Sequence, residues 1–460
     1  MKTKLLSMLT AILLLSSLNL SAQLVVNSTD DGTLAQVTTW AGTGKITLRY
    51  AIGVQTADTL IKFDVSLFNK TIKLTSGPIG LVKFRIDTLN VNGENNHITI
   101  DGDNLSRILN VNDSTQWGAN STSKVTIRNL RFINGSSDFG GTIINQENLL
   151  VQDCIFENNK ALIPGTSTSG NLYSSGGAIF QELSEAGLLT VDRCIFDNNQ
   201  SVHGGAISVD MQHFSNAKIT NSTFKNNSAT WDGGAVHGYW ASNVTIFSCT
   251  FVGNTTNANY GPAIHMGQNN FTFGSCLFVN NPTYTDGVFE DIHTDALQSF
   301  TNQGYNVYTT DNAAIWISTD KKLSNPSAVL TLDNSVGGYT LTSTGDVDTR
   351  IVIPDLLDAF EVGADITGTL RANKTLYNSG AKEFTVASAI PAVLTTKFNP
   401  RIQDNNLILS KVASKITIYS ISGSKLIEVS NMQNVNLSKL NAGIYLLNIN
   451  NDGVLKIVKK

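Results

Sequence analysis

The chain has 460 residues, of which 41% are hydrophobic and 15% charged, and its formal net charge is −4. Nothing in that balance suits a nucleic-acid or anionic-membrane binder, which needs a basic surface. The length exceeds one ordinary core, but a solenoid core has no such ceiling.

Residues 1–23 predict a secretory signal peptide. Lys2 and Lys4 start it, residues 5–20 form the apolar run, and Leu20-Ser21-Ala22 offers a small-residue cleavage region. No later segment reaches the ~18 apolar residues of a membrane span. The mature chain is therefore expected to be exported, with no transmembrane helix.

Residues 24–386 predict one solenoid. Residues 24–52 are expected to cap its first edge, because an open coil end leaves strand groups unpaired. Short strands follow at residues 60–63, 71–74, 88–91 and 98–102.

The phrase that organises the chain occupies residues 125–282. In one copy Val191-Asp192-Arg193-Cys194-Ile195-Phe196-Asp197-Asn198-Asn199 precedes Gly204-Gly205-Ala206-Ile207. Phe196, Phe224, Phe251 and Phe278 recur every 27 or 28 residues, with Phe132 and Phe156 before them. Self-similarity at that period predicts stacked coils. Leu189, Val191, Cys194 and Phe196 alternate with polar residues apart from one extra residue, which predicts a one-face-buried strand with a bulge. The glycine pair predicts a tight corner. Stacking parallel strands about 4.8 Å apart would place Phe on Phe, and Asn159, Asn199, Asn227, Asn254 and Asn281 in one column. The predicted fold is all-β: a parallel β-helix followed by a small antiparallel β-sandwich.

Cys154, Cys194, Cys249 and Cys276 share one repeat position, where other copies have Leu130 and Ser222. They are expected to be small buried core residues, with Cys249 and Cys276 the pair best placed for an exception. After Asn281 the repeat decays, and residues 350–383 close the coil irregularly. Residues 387–400 predict a linker. Residues 401–460 alternate short strands with hairpin turns.

Three stretches resemble known families. The Gly-Gly-Ala-Ile and Phe-x-Asn-Asn repeats resemble those of chlamydial-type polymorphic outer membrane proteins and related bacterial right-handed β-helix proteins, which implies a right-handed coil. Ile46-Thr47-Leu48-Arg49-Tyr50-Ala51-Ile52 is similar to the Cys-Ser-Leu-Arg-Glu-Ala-Ile box that opens many such helices, departing at Ile46 and Tyr50. Asp365-Ile366-Thr367-Gly368, Arg371 and Gly380-Ala381-Lys382-Glu383 resemble a worn closing segment of the choice-of-anchor Q family. The last module resembles the type A sorting domain of the type IX secretion system, through Ile418-Tyr419, Ser422-Gly423, Leu440-Asn441-Ala442-Gly443-Ile444-Tyr445 and Lys459-Lys460. Its usual Tyr-Pro-Asn-Pro opening is missing, with Phe398-Asn399-Pro400 the nearest echo. That resemblance implies the type IX secretion machinery as a partner and a secreted or outer-membrane surface location.

Columns across the copies locate candidate site residues. His203, Asp232 and Tyr260 precede the glycines, His237 and His265 follow the inward isoleucine or valine, and Asp210, Trp231, Tyr239 and Trp240 lie nearby. If the isoleucines point inward, His237 and His265 are expected on an exposed face. The set suits a glycan-binding strip, with sugars stacked on Trp and Tyr and their hydroxyls held by carboxylates and imidazoles. A zinc set of His203, His237 and His265 would need convergence that outward columns rarely give, so no metal is expected, and calcium stays open. No cofactor is expected, and the protein is expected to be a monomer.

Catalysis is weighed because many β-helices cleave polysaccharides. A lyase needs a basic residue as base, yet Arg128, Arg131, Lys160, Arg193, Lys218 and Lys225 fall on or near the Phe strand. Asp210 and Asp232 form the only suggested carboxylate pair for hydrolysis, with no third acid beside them. The expected function is a non-enzymatic, adhesin-like or glycan-binding surface protein. The alternatives are a polysaccharide lyase or glycoside hydrolase on the same face, and a purely structural protein.

Overall fold

A computed structural model describes residues 23–459 apart from internal stretches, the longest being 87–97, 112–123, 163–173, 282–290, 342–349, 352–376 and 379–397. The signal peptide, most of the closing segment and most of the linker thus lie outside the described residues. The chain divides into two compact units at residues 383 and 384.

The first unit is a stack of parallel coils. Each coil contributes strands to three long parallel sheets, of ten, ten and eight strands among the described residues, and four central coils add a short fourth. In one coil these strands are Leu188–Asp192, Ile195–Asp197, Gln200–His203 and Ile207–Val209. Three or four short strands therefore make up each coil, where the alternation predicts one bulged strand before the glycine corner.

The extra residue after Val191 explains the difference. Arg193 has φ 52°, and Asn129, Asp153, Asn221, Ser248 and Ser275 share that left-handed conformation at the same position in other copies. A left-handed residue turns the chain out of its own sheet. The position is a corner between two sheets rather than a bulge within one strand.

The phenylalanines form one interior file. Phe132, Phe156, Phe196, Phe224, Phe251 and Phe278 stack with centroids 5.2, 4.8, 4.8, 4.9 and 5.1 Å apart. That spacing is the strand separation of a sheet. Beside them runs a buried amide ladder. Each side-chain Nδ2 donates to the next Oδ1: Asn159 to Asn199 at 2.9 Å, Asn199 to Asn227 at 2.9 Å, Asn227 to Asn254 at 3.0 Å and Asn254 to Asn281 at 3.0 Å. The second Nδ2 hydrogen goes to a phenylalanine carbonyl of the preceding coil, as from Asn227 to Phe196 at 3.0 Å. Each oxygen also accepts a backbone N–H, as Asn227 does from Asn199 at 3.0 Å. Every polar group of the column is matched without water.

The two glycines of a corner act differently. Gly204 takes φ +63°, and Gly205 has no room, since a Cβ there would lie 2.1 Å from the Gly234 carbonyl oxygen. One supplies backbone freedom and the other close approach.

The opening edge is covered by two helices, Leu34–Ala41 and Leu48–Val54. Leu48, Ala51 and Ile52 join the core. Buried Arg49 pairs with Asp31 at 2.7 and 2.9 Å and donates to the carbonyls of Gly77 and Pro78 at 2.7 and 3.0 Å. That pairing gives the Leu-Arg box its structural role.

The second unit is an antiparallel sheet of five strands, Arg401–Gln403, Asn406–Ser420, Lys425–Asn436, Gly443–Ile449 and Val454–Lys459. It has its own core, including Phe398, Leu407, Ile416, Ile418, Leu437 and Leu447. The Lys459 ammonium is buried and donates to the carbonyls of Leu437 and Leu440. Ser422-Gly423 and Asp452-Gly453 lie outside the described residues.

All four cysteines are buried free thiols. Each donates weakly to backbone carbonyls, as Cys276 does to Gly274 at 3.3 Å. Burial pushes the Cys276 thiol up to about 12 and that of Cys194 well above its ordinary range. We expect less than one thiol per chain to react with a disulfide reagent in the native protein and four after denaturation; fast native labelling would contradict this burial. A second test concerns the amide ladder. Asn227→Ala strands the Asn199 amide and the Phe196 carbonyl in the interior, so stability should drop by about 3 kcal/mol, seen as a lower urea midpoint.

Candidate functional site

Strand pairing fixes which residues neighbour one another on the glycine side. Before the glycines, Ser175, His203, Asp232 and Tyr260 lie on successive coils. After the inward isoleucine or valine come Phe180, Ser208, His237, His265 and His293. Strand alternation points this second file away from the core.

Away from the core does not mean toward solvent here. His237 is 1% and His265 3% exposed, which corrects the expectation of an open face. The cause is the corner itself. At positive φ, Gly204 and Gly233 fold back over the next strand, so that a Cβ on either would lie 3.1 or 3.0 Å from His237 Cβ. The residues before the glycines are thereby turned against the histidine file. The two columns meet in a concave strip along the coil stack.

Three stations make up the strip. Phe139 and Phe180 lie 5.1 Å apart at one end. In the middle the His203 ring lies 5.1 Å from His237 and 6.2 Å from Trp231. At the far end Tyr260 meets His265 and His293 edge-on at 6.0 and 5.0 Å. The imidazoles of His237, His265 and His293 are stacked at 5.3 and 5.4 Å, within 9° of parallel. Trp231 and Tyr260 remain 44% and 43% exposed and are the only aromatic side chains among the exposed large apolar residues described.

The middle station also carries the strip's polar contacts. His203 Nδ1 lies 3.1 Å from Asp232 Oδ2, and His237 Nδ1 lies 3.2 Å from Ser208 Oγ. Asp232 Oδ1 is buried without a hydrogen-bond partner among the described residues. His203, Asp232 and His237 each place one donor atom within 4.8 Å of the other two. Asp232 thus takes the place that His265 was given in the weighed histidine set. His265 lies parallel on His237, so their ring lone pairs run side by side instead of converging.

Of the nine residues singled out in sequence, His203, Trp231, Asp232, His237, Tyr260 and His265 are brought together. Asp210, Tyr239 and Trp240 lie outside the described residues. The sequence reading missed His293 and Phe139. Ile292-His293 repeats Ile264-His265 one period later, but no glycine pair stands before it to mark the copy.

Three of the basic residues on or near the Phe strand are engaged elsewhere. Arg131 pairs with Glu157, Arg193 with Asp153 and Asp192, and Lys225 with Asp197. Arg131, Glu157, Asp197 and Lys225 lie on the Phe sheet, and Arg193 and Asp153 at the left-handed corner before it.

Residues 88–278 match the family described as right handed beta helix region. Residues 395–460 match the secretion system C-terminal sorting domain. No curated protein matches the chain. No helix among the described residues is long and apolar enough to cross a membrane.

Burial, followed by the nearby His265 and His203, holds the His237 imidazole well below its usual 6.5. On acidification the unfolded chain therefore takes up a proton that the folded ring refuses. The contribution is complete above about pH 6.5 and is lost progressively as pH falls toward the folded value. With a chelator present, we expect the urea midpoint to fall between about pH 7.5 and pH 5.5. His237→Asn should flatten that slope, and an equal slope in both proteins would contradict it.

Proposed function

This chain being a right-handed β-helix protein with a type IX secretion C-terminal sorting domain, and so secreted or held at the cell surface, we propose that it is a non-enzymatic glycan-binding protein whose concave strip is the binding face. One observation carries the reading. Trp231 and Tyr260 keep over two fifths of their surface in water on successive coils, beside Asp232. Exposed rings held on a rigid strand edge, next to a carboxylate and imidazoles, match what a sugar offers: an apolar face and a rim of hydroxyls. The solenoid adds rigidity, because the strip rests on regular strands whose interior is filled by stacked rings.

The catalytic alternative lacks parts in the described strip. Around His203 and His237, Asp232 is the carboxylate in contact, whereas hydrolysis requires two. Of the cations weighed as a lyase base, Arg131, Arg193 and Lys225 are tied to Glu157, Asp153, Asp192 and Asp197 on the Phe side.

A glycan array probed with the purified chain tests the proposal. We expect binding to at least one class of surface glycan, weakened about tenfold or more by Trp231→Ala with Tyr260→Ala, the usual scale for loss of aromatic anchors. No binding to any glycan, or binding undiminished in the double variant, would overturn it. Release of new sugar ends from the array would favour the enzymatic alternative.

A further inference from the structure

We propose that His203, Asp232 and His237 form a binding site for a single divalent transition-metal ion of the zinc class. The site goes beyond glycan binding and needs no sugar to be tested.

His203 Nδ1 and Asp232 Oδ2 are 3.1 Å apart. Two ligands at about 2.0–2.1 Å from a tetrahedral zinc ion stand roughly 3.4 Å from each other, so this pair already spans one edge of such a site. His237 brings the third donor within 4.8 Å, and closing that gap takes a side-chain movement of about an ångström.

The second observation concerns charge. Asp232 Oδ1 is buried with no hydrogen-bond partner among the described residues. A carboxylate oxygen withdrawn from water without a donor is costly. A cation seated between the three side chains would supply the missing counter-charge.

The third observation is the support around the ligands. Ser208 Oγ lies 3.2 Å from His237 Nδ1. A neutral imidazole that donates from Nδ1 carries its lone pair on Nε2, and a hydrogen bond at one ring nitrogen that fixes the other is the usual outer shell of a metal-binding histidine. The glycine corners matter as well. Gly204 and Gly233 turn the strands bearing His203 and Asp232 back over His237, so residues distant in sequence converge on a rigid frame.

Donor chemistry selects the ion. Two imidazoles and one carboxylate suit zinc, iron, nickel or copper. Calcium takes 6–8 oxygen ligands, and the described residues here offer one carboxylate. Three protein ligands leave a fourth tetrahedral position for water or a ligand oxygen.

The test uses the full chain without a polyhistidine tag, stripped with a chelator and titrated with zinc chloride by calorimetry. We expect one equivalent bound at about 1 μM or tighter. His203→Ala and Asp232→Asn should each weaken it by more than ~100-fold, and Ser208→Ala by about 10–100-fold, the scale of outer-shell loss. Less than half an equivalent bound by the unaltered protein, or unchanged affinity in folded ligand variants, would overturn the site. Should a ligand variant fail to fold, the cobalt(II) form of the unaltered protein decides: a tetrahedral visible spectrum supports the site, and an octahedral aquo-like spectrum overturns it. A protein that takes up zinc but binds no glycan would sink the functional proposal and leave this one standing.

Discussion

Parallel strand pairing sets one distance, the separation of neighbouring strands, and the described coils repeat at that step. Flat rings stack well at the same spacing, and an amide can pass a hydrogen bond across it. Because Phe196 lies over Phe156 and Asn199 over Asn159, each interior position is satisfied by a copy of itself. The core of this solenoid is therefore a bundle of columns rather than a mixture of interlocking shapes. A residue's fitness depends on its equivalents one coil above and below more than on its neighbours in sequence.

That dependence explains what could be read in advance. The phenylalanine and asparagine files were legible because their demands are local and recur in each copy. The cysteines were legible as core for the same reason, and all four are buried free thiols. The left-handed corner at Arg193 was visible only as a phase error in the alternation. A bulge and a corner leave the same one-residue signature in sequence, and only φ separates them.

The strip shows where pattern reasoning stops. Alternation correctly sends His237 and His265 to the side opposite the isoleucines, yet whether that side meets water depends on the curvature of the chain several residues earlier. Gly204 and Gly233 create a concave corner, and concavity is a property of the coil and not of any window of residues. His293 shows the complementary limit. It continues the imidazole file without the glycine pair that marks earlier copies, so stacking outlasts the motif that announces it.

The amide ladder also has a direction. From Asn159 onward one hydrogen of every Nδ2 is donated toward the C-terminal end of the stack, and on Asn281, the last of them, it goes to Asp291 at 2.9 Å. Aspartate here is a full stop: it receives but has no amide hydrogen to hand on. The polarity of the column thus assigns the two ends different chemistry, and lengthening this protein by duplicating a coil would be simplest below Asp291, where each newcomer inherits both a giver and a taker.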